Sequence, residues 1–214
     1  PAHQLESAAA YLAAADPESV TDAELVLTAR ASLGERPRAL VARVRGAQRP
    51  SGAIGPTVNS TIWGVIALRA AGESVPGSVV RYLLRRQTRS GGWSWSVGAA
   101  SDSNDTAAAI QALRAAGVRG APIRRGLVFL RRFQNPDGGF ELTAGRGSDV
   151  QSTAWAIQAF LAAGERPGGA AYRYLARMRR PDGSYRYSAR FAVTPVWVTA
   201  QALAALAGRP LPLR

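Results

Sequence analysis

The 214-residue chain has no cysteine and one histidine, His3. Without thiols it has no disulfide, no thiolate nucleophile and no Cys-based zinc site, and it is compatible with any redox compartment. A single histidine near one end cannot assemble a Ser-His-Asp set or a His-rich metal site. No P-loop glycine pattern is present either. The expectation is therefore a protein without metal or cofactor. Every long apolar stretch is broken by Arg, Gln or Gly, which excludes a membrane-spanning helix. The chain opens on Pro1, without Met or a signal-like segment. An exported domain with its leader removed and a cytoplasmic domain are both compatible with that start.

Lysine is missing too. All 27 basic residues are arginine against 14 acidic ones, a net charge of +13. Such a balance invites a polyanion partner. The arginines, however, gather on one class of helix, as solvated outer faces do. A weak polyanion-binding surface is expected, without specific nucleic-acid recognition.

What the chain does have is repetition. Segments ending ALRAAG, ALRAAG, AFLAAG and ALAALAG stop at Gly72, Gly117, Gly164 and Gly208, and a weaker TARASLG stops at Gly34. The spacings are 38, 45, 47 and 44 residues, and a proline follows each glycine within five positions. Glycine accepts the conformation that ends a helix and proline cannot continue one. Before each stop runs a helix-period stripe, such as Thr106, Ile110, Leu113 and Gly117. After it comes a second, Arg-rich helix, as in RYLLRRQTR at 81–89 and YLARMRR at 174–180. The helices before the stops are Ala-rich and nearly uncharged. This predicts one all-α domain over 1–214, with hairpin repeats at about 4–34, 38–72, 77–117, 123–164 and 169–208. The buried helices lie inside and the basic ones outside.

The turns after the basic helices refine the expectation. Gln48, Gln87 and Gln134 precede Ile54, Trp93 and Phe140 by six residues, with a glycine two positions before the apolar residue. In the last repeat Arg179 takes the glutamine place and Tyr185 the aromatic one. The segment RRGLVFLRRFQNPDGGF at 124–140 resembles the QW repeat of squalene cyclases, through Arg125, Gly126, Phe129, Leu130, Gln134, Gly138 and Phe140. With its weaker copies the likeness covers about residues 20–208. It implies an α/α toroid of the squalene-cyclase and prenyltransferase type, in which these residues are repeat glue. A glutamine ending an outer helix can satisfy orphan backbone groups while a ring packs over the turn. A closed toroid of that family has about six hairpins. The five counted here imply a sixth outside these residues or an irregular closure.

The segment DSNDTAAAIQAL at 102–113 resembles the DxDDTA motif at which class II terpene cyclases protonate an isoprenoid. Carried over by position, Asp102 and Asp105 are the flanking carboxylates, and the general-acid position holds Asn104. Protonating an alkene demands a neutral carboxylic acid, and an amide has no acidic proton to give. The same residues also suit helix capping. Thr21 with Glu24 reads as a capping box, and Ser60 and Ser152 fill the place of Asp105 in other repeats. Prenyltransferase zinc chemistry is excluded by the absent cysteine.

Two readings follow. One is a toroid that binds an apolar, isoprenoid-like molecule or a protein partner without catalysis. The other is a class II terpene cyclase using Asp102 or Asp105. Candidate ligand contacts are Trp63 and Trp155, each nine residues before its glycine, with Trp197, Trp95, Asp149 and Gln151. Trp93 is expected in the core.

Overall fold

The computed structural model describes residues 2–213. Among them are ten helices: α1 Ala2–Ala14, α2 Val20–Ser32, α3 Arg38–Gly46, α4 Val58–Ala70, α5 Gly77–Arg86, α6 Ser103–Ala115, α7 Ala121–Arg131, α8 Val150–Ala163, α9 Gly169–Met178 and α10 Pro195–Leu206. The even-numbered helices form an inner row, each packed on the next from α2 to α10. The odd-numbered helices lie outside; α3, α5 and α7 each lean on two inner helices. α5, α7 and α9 bury narrow stripes, Val79–Tyr82–Leu83, Ile123–Leu127–Leu130 and Ala171–Tyr174–Leu175, and leave their arginines on the wet side.

Short side chains start the inner helices. Ser19, Thr57, Asp102 and Asp149 are N-caps, accepting from the backbone N–H of Asp22, Ser60, Asp105 and Ser152 at 3.1, 2.9, 2.8 and 2.7 Å. The first of these corrects the sequence reading. The box is Ser19 with Asp22, not Thr21 with Glu24. Because α2 begins at Val20, Glu24 falls one turn inside the helix, on its core face. It is fully buried beside Gly64 of α4, and neither carboxyl oxygen has a hydrogen-bond partner.

The turns join outer to inner helices. Antiparallel bridges pair Gln48 with Ile54, Gln134 with Phe140 and Arg179 with Tyr185. Threonines one turn into the inner helices complete them. Thr61, Thr106, Thr153 and Thr199 accept from the N–H of Ile54, Trp93, Phe140 and Tyr185 at 3.1, 2.9, 2.9 and 2.9 Å. Trp93 is fully buried, with its Nε1 donating to Leu83 O at 2.8 Å. Gln87 and Gln134 tie their own turns, and Gln48 and Gln87 reach the next hairpin, where the sequence suggests that they serve their own helix end. Gln87 Nε2 donates to Gly91 O and to Pro122 O in α7, both at 2.8 Å. Gln134 Nε2 donates to Gly138 O, and Gln48 Nε2 to Ser78 Oγ in α5.

The turn glycines are seats for the next outer helix. A Cβ on Gly91 would lie 2.6 Å from Arg125 O, and one on Gly138 2.5 Å from Ala170 O. Both glycines also hold positive φ. Gly183 keeps the conformation, φ +85°, but nothing nearer than the Arg179 guanidinium at 4.0 Å faces it. No described helix follows α9 on the outside, and Ser32 of α2 shares a cleft with Ala200, Leu203 and Ala204 of α10 and with its C-cap Ala207.

Candidate functional site

The inner helices, each packed on the next, face a shared interior, here called the bore, and counting from each N-cap gives its layers. Two residues in are Thr21, Asn59, Asn104 and Gln151, all partly exposed at the amino-terminal mouth. Six residues in are Leu25, Trp63, Ala108 and Trp155. Trp63 and Trp155 meet edge-to-face with ring centroids 5.8 Å apart, although α6 stands between their helices. Nine residues in are Gln111 and Gln158. The wall of α10 is apolar: Ala200, Leu203, Ala204 and Ala207 line a cleft of about 390 Å³ facing Ser32.

The far end of the bore is sealed by the chain itself. Gln158 Nε2 donates to Arg209 O at 2.9 Å, and Leu211 N–H donates to Gln111 Oε1 at 2.7 Å. Residues 209–213 therefore cross the carboxyl ends of the inner helices. Those ends are stitched by Arg69 Nε on Ala115 O and Arg114 Nε on Ala162 O, at 3.0 and 2.9 Å. Guanidinium groups there meet the negative ends of the helix dipoles.

At the mouth, the carboxylates are occupied. Asp102 caps α6, and Asp105 accepts from Asn59 Nδ2 at 2.7 Å. Burial, then the neighbouring Asp105 carboxylate, push Asp102 up to about 7. Asn104 occupies the bore-side place between them. Asp149, buried, caps α8 and also accepts from Ser152 Oγ at 2.8 Å; burial raises its pKa.

The sequence candidates thus fall into groups. Trp63 and Trp155 come together, and Asn59, Asp102, Asn104 and Asp105 cluster about one turn above them. Trp95 and Trp197 stand more than half exposed on the rim, in the turn before α6 and the first turn of α10. Asp149 lies beside a separate cleft of about 520 Å³, which also takes in Arg146, Tyr174, Tyr187, Arg190 and Phe191. Arg146, Tyr187, Arg190 and Phe191 were not singled out by sequence, nor was the sealing tail. Among the described residues no group of three or more His, Cys, Asp or Glu could hold a metal, and no helix is long and apolar enough to cross a membrane.

With this geometry, solved structures of similar shape are found. One is Candida albicans protein geranylgeranyltransferase-I complexed with GGPP, at TM-score 0.56 and 18% identity over 72% of this chain and 49% of that one. A second is a variant of a type II terpene cyclase from Scytonema with its product merosterolic acid A, at 0.62 and 19% over 89% and 72%. A third is the same cyclase with its substrate geranylgeranyl dihydroxybenzoate, at 0.55 and 20% over 78% and 56%. The chain is an α/α toroid. It spans about half to seven-tenths of the length of these toroids. No protein-family model matches it, and no curated protein does. At these identities the likeness establishes architecture alone.

Proposed function

We propose that this toroid binds an apolar, isoprenoid-like molecule in its bore and does not cyclise it. The observation that carries the reading is Asn104, an amide on the bore side of α6, above the Trp63–Trp155 layer. Protonation of an alkene requires an acid at the double bond. The two flanking carboxylates are engaged with backbone and with Asn59. Below them the apolar rings of Trp63 and Trp155 meet, so an apolar ligand would lodge against this layer or part the two rings. Toroids of similar shape hold GGPP and geranylgeranyl dihydroxybenzoate.

The test uses squalene and geranylgeranyl diphosphate as substrates and geranylgeraniol as a ligand. Extraction and gas chromatography are expected to show no cyclic product. Geranylgeraniol is expected to raise Tm and quench tryptophan fluorescence, and Trp63→Ala with Trp155→Ala should abolish both effects. Turnover that disappears in Asp105→Asn would overturn the non-catalytic half. An unchanged Tm and fluorescence would overturn the binding half.

A further inference from the structure

The second cleft lies outside the bore, between the 141–148 and 186–193 loops. At about 520 Å³ it has the size of a small-molecule pocket. Both loops are pinned. Buried Glu141 accepts from the N–H of Gly145 at 3.1 Å and of Gly147 at 2.8 Å, bracketing Arg146. The carboxylate thus holds the loop backbone on either side of Arg146. In the opposite loop Ser188 N–H donates to Phe191 O at 3.0 Å. Ser188 Oγ accepts from Arg190 N–H at 3.3 Å and Phe191 N–H at 3.2 Å. Arg190 and Phe191 are thereby held at the tip of a tight turn.

We propose that this cleft binds a planar aromatic monocarboxylate. Arg146 and Arg190 line the cleft and take part in none of the ion pairs among the described residues, although Arg146 faces the Tyr187 hydroxyl and the Asp149 carboxyl. The cleft's own acids are hydrogen-bonded to neighbouring residues, and they offset part of the arginines' positive charge. Asp137 accepts from Ser148 Oγ and Gly139 N–H, and Asp149 from Ser152 N–H and Oγ. Two guanidinium groups lining one cleft suit a carboxylate, which accepts a forked donor pair. Asp137 and Asp149 repel a second negative charge, which favours a monoanion over a phosphate dianion.

The body of the ligand is set by the rings. Tyr174 is anchored by its hydroxyl on Ser148 O at 2.8 Å. Tyr187 is anchored by its carbonyl, which accepts from Val150 N–H at 2.8 Å, and its hydroxyl lies against Asp149 and Arg146. Phe191 leaves more than half its surface in solvent, on the same cleft. Three rings around one opening favour a flat unsaturated body, stacked or edge-on. The corresponding turn one repeat earlier, 94–101, has Trp95 but no arginine. The arrangement is therefore not a general feature of the repeat.

Calorimetric titration with cinnamate, cinnamyl alcohol and inorganic phosphate tests the site on the whole chain. Cinnamate is expected to bind saturably. The alcohol, which lacks the charge, should bind about tenfold or more weaker, the size of a lost charged hydrogen bond. Arg190→Ala should weaken cinnamate by a similar factor and Phe191→Ala by several-fold. Both residues are on an exposed turn, and circular dichroism checks that the fold is intact. Trp63→Ala should leave cinnamate binding unchanged, which separates this site from the bore. No heat with cinnamate, equal affinity for the alcohol or for phosphate, or unchanged affinity in Arg190→Ala would each overturn the proposal.

Discussion

Trp63 and Trp155 touch across the bore because the residue at the same level of the helix between them is Ala108. A larger side chain there would occupy the space the two indoles share. Trp155 is almost wholly buried and Trp63 partly so. Trp155→Ala should cost about 3 kcal/mol and Trp63→Ala less. The double variant should reveal about 1 kcal/mol of coupling in urea unfolding, the usual size for an edge-to-face pair. Strict additivity would mean that the rings do not meet in solution.

Glu24 predicts an unusual response to alkali. Burial without a partner raises its carboxyl to about 9, against 4.5 for the free side chain. The folded state thus holds a proton that the unfolded state releases. Its contribution is complete below about pH 4.5 and is lost as pH rises through 9, at a slope near 1.4 kcal/mol per unit. Asp102, raised to about 7, adds to the decline over the lower part of that window. Glu24→Leu should flatten the curve and stabilise the protein at pH 8, since it removes an unsatisfied polar group. Urea midpoints measured from pH 5 to 9 check this; parallel curves for the two proteins would refute it.

If Asp102 is chiefly a helix cap, chemistry and stability respond differently to its replacements. Asn caps as well as Asp, so Asp102→Asn should stay within about 0.5 kcal/mol of the parent or gain slightly at high pH. Asp102→Ala should lose about 1 kcal/mol. Thermal unfolding of the pair decides. An Asn variant as unstable as the Ala variant would show that the charge, and not the cap, is what α6 uses.

The two turn glycines separate conformation from crowding. Gly183→Ala meets open space and should cost only the left-handed strain, about 1–2 kcal/mol. Gly138→Ala adds a collision with the Ala170 carbonyl and should cost at least roughly twice as much. Equal losses in chemical denaturation would mean that α9 is not seated on that turn.

The two helix classes were legible because their signals are local. Glycine–proline stops mark the helix ends, and the arginines separate wet helices from dry ones. The capping role of Asp102 was legible for the same reason. Glu24 was misread because Thr21–Glu24 and Ser19–Asp22 both satisfy the box spacing, and only the start of α2 at Val20 chooses between them. The tail across the bore was beyond reach, since Gln158–Arg209 and Gln111–Leu211 link residues 51 and 100 positions apart. Two further signals lie in the sequence. A threonine recurs eleven residues before Gly72, Gly117 and Gly164, and it proves to hold each turn. The Gly-Arg-Gly run at 145–147, with an acid four residues before its first glycine, marks a loop shaped to present Arg146.

The open seat at Gly183 has a meaning for how such a molecule can be lengthened. The turn at 180–185 already has the backbone shape that the interior turns use to receive their neighbour. One more hairpin there would need an incoming helix with a free carbonyl in its first turns, and residues 209–213 would have to leave their contacts with Gln111 and Gln158. The array behaves as a modular assembly whose connector is present at its growing edge.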